Sequence, residues 1–280
     1  MRQRNGVLYR IGINTFGLAK HIQADQRKTI QRLAEIGFSL VEPLLAPLDR
    51  QGDYPKVVLS RETLLPFLED CANCGITAQT AHVFADTAVP LERTVEYLAW
   101  VHLNSSIDHF ILSSSMASVR QAEQQAAYMS DLAELLSKEG CHLLYHNHAR
   151  ELRVLSNGQT ALDRFFAVCS PKVLLQLDVG WAGIAGDEEK TAAKFSQRIA
   201  SLHFKDFVAE TRSLYTEETM PTERFAAVGS GDIHSAEVLA MRDSFPQFGG
   251  TLIIDQDHSN GDIFEDVAAG LGWLRKAVEA

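Results

Sequence analysis

Eight times along the chain, a short run of β-branched and apolar residues is followed by a longer run with helical periodicity. The short runs fall at 9–18, 39–47, 76–84, 109–115, 141–148, 172–182, 200–207 and 250–257. The longer ones fall at 26–38, 61–75, 91–103, 119–140, 161–170, 187–199, 235–245 and 262–280. In the first of these, Ile30, Leu33, Ala34 and Ile36 share one side and Gly37 reads as a stop. Strands alternating with helices imply βαβ crossovers, and hence a parallel sheet covered on both faces. Strands in such a sheet are nearly continuous in apolar residues, as in VLLQL and TLII. Eight repeats point to the α/β class and a single closed (β/α)8 barrel over residues 1–280, with an open doubly wound sheet as the runner-up. No linker divides the chain. Residues 207–232 read as an elaborated loop, and Pro43 is expected to follow the hydrogen-bonded part of its strand.

The ends of the predicted strands carry the chemistry. The second ends at Glu42 and the third at His82. The fifth ends at His146 and His148, with Glu151 just beyond. The sixth ends at Asp178 and Trp181, the seventh at His203, Lys205 and Asp206, and the eighth at Asp255, Gln256 and Asp257. The C-terminal ends of barrel strands are where such folds build their sites. Each residue has an ordinary structural reading taken alone: a hydrogen-bonded histidine, a helix cap at Asp178, a surface ion pair at Lys205–Asp206. Six coincidences on one rim would be needed to explain them all that way. Carboxylates and imidazoles together suit one divalent ion, Mn²⁺, Mg²⁺, Co²⁺ or Zn²⁺. Such an ion acts as a Lewis acid at a carbonyl, and a neighbouring carboxylate or imidazole can move a proton from the adjacent carbon.

Other chemistries find less support. The chain has 280 residues and a net charge of −10, which argues against a large phosphate-binding face. Neither a GxSxG elbow nor a GxxxxGK[ST] loop occurs. The Gly-rich GSGDIH at 229–234 reads as a tight turn offering a nest of amides to an anion. Cys71 and Cys74 form a lone CxxC near the end of a helical run and read as small apolar residues. The N-terminal residues lack a secretory signal, and no apolar run reaches membrane-spanning length. A cytoplasmic location is therefore expected, with neither nucleic acid nor membrane as partner. Oligomeric state is open, self-association into a homo-oligomer included.

The segments YHNHARE, LQLDVGWA, LHFKD, VGSGDI and IIDQD, in this order and spacing, resemble the sugar phosphate isomerase/epimerase family. This is the xylose isomerase-like TIM barrel superfamily, which also holds inosose dehydratases, ketose 3-epimerases and endonuclease IV. The resemblance covers nearly the whole chain. It implies a (β/α)8 TIM barrel with one divalent metal at its mouth, held by residues after strands five to eight: here Glu151, Asp178, His203 and Asp255. Asp255 stands where relatives usually carry the longer Glu. His146, where relatives with an ENH-like strand carry Glu, is the alternative strand-five ligand, and otherwise faces the substrate together with His148. Glu42, His82, Trp181 and Lys205 match cavity-lining positions, with Gln256 and Asp257 beside them. Glu151 or His146 on one face and Asp255 on the other are the expected proton-transfer groups. The implied activity is isomerisation or epimerisation of a ketose, keto-sugar or related polyol through an enediolate-type proton transfer. An inosose-type dehydratase is the alternative, ahead of an abasic-site endonuclease or a non-catalytic sugar-binding protein.

Overall fold

The structure, a computed structural model, describes residues 3–4, 7–46, 58–84 and 89–279. Eight parallel strands line the barrel: β1 (Arg10–Asn14), β2 (Leu40–Glu42 and Leu44–Leu45), β3 (Thr77–Ala78 and Thr80–Val83), β4 (His109–Leu112), β5 (His142–His146), β6 (Val173–Asp178), β7 (Ile199–Phe204) and β8 (Thr251–Ile254). Each pairs with its neighbours in chain order, and β8 returns to β1 from Thr251↔Arg10 to Ile254↔Ile13. The circle closes through β2 and β3, which pair at Leu40↔Thr77 and again at Leu44↔His82. The repeat count therefore led to the right architecture. Pro43 departs from expectation: pairing resumes beyond it. Lacking an N–H, proline interrupts the ladder, yet its carbonyl accepts from the His82 amide at 2.9 Å and carries the strand across the break.

Side chains alternate between the lumen and the helices. Val41, Leu175, Leu177, Leu202, Phe204, Leu252 and Ile254 belong to the large outer core against the helices. The lumen holds a smaller apolar plug, Ile111, Leu144 and Ala200 with Leu174 packed on it. Gly12 leaves room there, because a Cβ at that position would lie 2.9 Å from Ile253 Cδ1 and 3.0 Å from Leu40 Cδ2. Two residues further along the strands, period-two spacing puts Asn14, Glu42, His146, Gln176 and Asp255 above this plug. Strand β7 needs one irregularity to join them. Leu175 pairs with Ile199 but Gln176 pairs with Ser201, so Ala200 is an extra residue. A one-residue slip reverses the facing of every later side chain. Ser201, His203 and Lys205 consequently turn to the lumen.

Helices cover the outside, and local chemistry sets their ends. The Asp25 side chain accepts from Lys28 N at the start of Gln26–Ile36, and Gly37, at φ 109°, ends it as expected. Capping boxes start Arg61–Asn73 and Ala161–Val168. GWA, read as the end of a strand, instead lies in the helix Val179–Ala185, which starts at Asp178. Cys71 is buried, all four thiols are free, and burial pushes Cys71 up to about 12. Among the described residues no helix is long and apolar enough to cross a membrane.

In the 207–232 loop, Asp206–Phe207 pairs antiparallel with Phe225–Ala226. The expected amide nest exists, but its anion is internal. The buried Asp206 carboxylate accepts from the amides of Phe207, Gly229, Gly231 and Ile233 at 2.9–3.2 Å. These amides are therefore committed to Asp206 and not to a ligand. Charge-assisted bonds to a buried group are strong, and deleting the acceptor orphans the donors. Asp206→Ala should lower unfolding stability by about 2–4 kcal/mol in a denaturant titration, and Asp206→Asn by less. Equal stability of all three proteins would show that the loop is held by other contacts.

Candidate metal centre and cavity

The lumen-facing ends of β5 to β8 bring His146, Asp178, His203 and Asp255 together, each offering one nitrogen or oxygen, all within 4.8 Å of one another. All four residues are buried. Asp178 Oδ2 lies 3.7 Å from His146 Nε2 and 3.8 Å from His203 Nδ1, and Asp255 Oδ2 lies 3.3 Å from His203 Nδ1. Ligands around one tetrahedral ion with bonds of about 2.1 Å are separated by about 3.4 Å. Asp178 Oδ2, His203 Nδ1 and Asp255 Oδ1 are buried without a hydrogen-bond partner. Native interiors rarely leave such atoms unsatisfied, and a cation among them would satisfy all three. The donor set therefore fits a divalent ion.

The orientation of each side chain has a cause. Asp178 has two roles: Oδ1 caps its helix by accepting from Trp181 N at 2.7 Å, which leaves Oδ2 for the centre. The cap expected from the sequence and the candidate ligand are the same residue. Asn147 holds Asp178 by its backbone, accepting from its N–H at 2.9 Å and donating to its carbonyl at 3.2 Å. Gly180 allows β7 to come close, since a Cβ there would lie 2.5 Å from the Lys205 carbonyl oxygen.

The two imidazoles are fixed by one carboxylate. Glu42 has no exposed surface. Its Oε1 accepts from Asn14 Nδ2 and His203 Nε2, both at 3.0 Å, and its Oε2 accepts from Gln176 Nε2 at 2.9 Å. A carboxylate only accepts, so His203 presents an N–H at Nε2 to Glu42 and points Nδ1 at the centre. The Gln176 amide is oriented the same way. Its NH₂ faces Glu42, so its oxygen accepts from His146 Nδ1 at 3.0 Å and leaves His146 Nε2 bare. Burial alone would raise Glu42, but His203 and the hydrogen bonds from His203 and Asn14 outweigh it and hold the carboxyl at about 2. Burial likewise opposes charge on His203. Glu42 and Asp255 override it and push the imidazole well above its ordinary range, so positive charge is favoured at this point.

A cavity of about 410 Å³ opens on the cluster, near the lower end of the range for small-molecule sites. His146, Asp255, His82, His148, Trp181, Lys205 and Asp257 line it, as expected from the sequence. Lys205 Nζ lies 2.9 Å from Asp255 Oδ2 and 2.5 Å from Asp257 Oδ2. Burial and the neighbouring Asp255 push Asp257 up to about 7. Burial keeps His82 at about 4 and His148, with help from Lys205, at about 3, so both rings are neutral at pH 7. Trp181 is a wall. Its ring packs on Phe207 at 4.8 Å and is 2% exposed, with Nε1 unpartnered.

Three expected site residues sit elsewhere. Glu42 is behind the centre, with its oxygens occupied. Gln256 donates to the His258 carbonyl at 2.8 Å and is not part of the cavity wall. Glu151 is outside the four-residue cluster, and His146 takes the strand-five place. The Glu151 side chain folds back to accept from Tyr145 Oη and His148 N, both at 2.7 Å, and lies beside Glu217 and His148. Gln176, Asn14, Ser113 and Glu217 also stand at the site, outside the residues that strand-end position singles out. Gln176 had a signal, being a polar residue inside an apolar strand, two positions before Asp178 and so on its face. Glu217 had none.

The family profile of the xylose isomerase-like TIM barrel matches residues 112–277, and the chain belongs to that family. Among curated proteins none matches by sequence. Solved structures share the fold. A sugar phosphate isomerase/epimerase from Parabacteroides distasonis superposes with a TM-score of 0.76 at 16% identity, covering 97% of this chain and 98% of its own. A probable 3-DHS dehydratase from Bacillus anthracis, involved in petrobactin synthesis, gives 0.66 at 16% identity over 95% and 98%. A xylose isomerase-like TIM barrel protein from Mycobacterium smegmatis, in complex with magnesium, gives 0.68 at 11% identity over 99% and 98%.

An amide at position 42 would set a donor against either His203 or Gln176. Loss of such an outer hydrogen bond to a ligand typically weakens metal affinity about 10–100-fold. Glu42→Gln should show that loss in a Mn²⁺ titration followed by calorimetry, with the far-ultraviolet dichroism unchanged. Wild-type affinity in this variant would reduce Glu42 to a packing role.

Proposed function

We propose that the protein is a divalent-metal-dependent sugar isomerase or epimerase acting on a small ketose, keto-sugar or related polyol. The observation that carries this reading is the buried two-imidazole, two-carboxylate cluster opening on a cavity of sugar size. A divalent ion there, of the Mn²⁺, Mg²⁺, Co²⁺ or Zn²⁺ type, supplies Lewis acidity toward a carbonyl and its neighbouring hydroxyl. Mixed nitrogen and oxygen donors suit any of these ions.

The chain's own residues supply the rest. Asp178, His146, His203 and Asp255 are the ligand set. Both nitrogens of His146 are then committed, one to Gln176 and one to the centre, and it is not free to carry protons. Glu151 does not line the cavity. The proton-transfer groups are therefore Asp257 from the β8 side and His82 from β3, across the mouth. Asp257 lines the cavity without being in the cluster, and Lys205 holds it in place. His82 is a neutral imidazole set by Ser113, with Nε2 3.2 Å from the hydroxyl oxygen. Epimerisation needs one such group on each face of the carbon, because the proton leaves one side and returns on the other.

The test is solvent deuterium exchange at the substrate carbon over a panel of ketoses with Mn²⁺. Exchange without loss of water supports the reading, whereas exchange accompanied by release of water identifies a dehydratase on the same site. General acid–base groups contribute about 10²- to 10⁴-fold in rate. Asp257→Asn should lower kcat at least about a hundredfold on that basis, with the fold retained. If Asp257→Asn and His82→Ala both exchange at the wild-type rate, these residues move no protons.

A further inference from the structure

Beside the four-residue cluster lies a second set of donors that it does not use. A nitrogen of His148 and carboxylate oxygens of Glu151 and Glu217 fall within 4.8 Å of one another. Glu151 has no exposed surface, and its Oε2 makes no hydrogen bond. Glu217 Oε1 is likewise buried and unpartnered. The nearest guanidinium, Arg150, has its Nε 3.9 Å from Glu217 Oε1 and is engaged by Glu218 and Ser115 at the surface. His148 Nδ1 stands 4.0 Å from Glu151 Oε1. Glu151 is fully buried and Glu217 half-buried, and the one cation beside them, Arg150, is shared with Glu218 and lies on the Glu217 side; a buried carboxylate such as Glu151 is tolerated only when paired, protonated or metal-bound.

We infer that His148, Glu151 and Glu217 form a second divalent-cation site, distinct from the cluster of His146, Asp178, His203 and Asp255. One imidazole and two carboxylates match the donor preference of Mn²⁺ or Zn²⁺, and three protein ligands leave a position open. That position faces the cavity, because His148 and Glu217 are part of its wall. The two sites adjoin: the rings of His146 and His148 are 5.1 Å apart, edge to face. Each has its own support. The first is oriented by Glu42 and Gln176. The second is oriented by the Tyr145 hydroxyl and the His148 amide, which both donate to Glu151 Oε1 and leave Oε2 bare. A cation here sits on the cavity side away from Asp255 and Asp257 and binds a second oxygen of a polyhydroxylated ligand.

The test counts ions and does not depend on activity. Chelator-treated protein is titrated with Mn²⁺ alone, and free ion is followed by electron paramagnetic resonance. The wild type should saturate at two Mn²⁺ per chain, Glu217→Gln and Asp178→Asn at one each, and the double variant at none. Glu217 lies on a loop, so its amide variant should fold, and circular dichroism verifies this. A wild type that saturates at one ion, lost in Asp178→Asn but kept in Glu217→Gln, overturns the second site and leaves the first standing; the two carboxylates then share a proton. One ion lost in Glu217→Gln but kept in Asp178→Asn upholds the second site and removes the first. Two ions retained in Glu217→Gln, or no binding by the wild type, overturns the second site.

Discussion

The mouth of this barrel depends on the burial of one carboxylate. Glu42 lies at the end of β2 with no exposed surface, and a lone buried carboxylate would take up a proton rather than stay charged. The charge of His203 and hydrogen bonds from His203 and Asn14 keep it ionised, while Gln176 occupies its second oxygen. The same bonds decide which nitrogen of His203 faces the centre and, through Gln176, which nitrogen of His146 does. Strands β1, β2, β5, β6 and β7 are thereby tied to one point, and the geometry of the candidate ligands follows from a residue outside their cluster.

Backbone irregularities do comparable work. The extra residue Ala200 turns His203 and Lys205 into the lumen; in unbroken register they would meet the helices and Leu202 would face Asp178. The Pro43 break in β2 keeps its carbonyl in the ladder through His82 N, next to the ring that lines the cavity. Asp206, next to Lys205, gathers the amides of residues 229–233 and fixes the loop over that side of the mouth.

Much of this was legible in the sequence. Eight strand–helix repeats led to the barrel, and polar strand ends picked out Asp178, His203, Asp255, His82, Lys205 and Asp257. What stayed hidden has physical reasons. Strand-end position says that a residue reaches the mouth but not whether it faces the cavity or lies behind it, which separates Glu42 and Gln256 from their neighbours. Glu151 sits past the strand, where a short 3₁₀ turn, Arg150–Leu152, carries its carboxylate back onto Tyr145. Such a turn has no periodicity to read. Gln176 was masked by the apolar run around it, and the bulge at Ala200 leaves no residue signature. The GSGDIH turn was read correctly as a nest, but the anion it binds lies 23 residues away in sequence, at Asp206.

The proposed cation centre has four lumen-facing ligands, with both imidazoles held by Glu42. Anomalous scattering from crystals soaked in Mn²⁺ tests it directly. A peak is expected within about 2.3 Å of His146 Nε2, Asp178 Oδ2, His203 Nδ1 and an Asp255 carboxylate oxygen. Absence of a peak at that point, or a peak there held by Glu151 with His146 turned away, would contradict it.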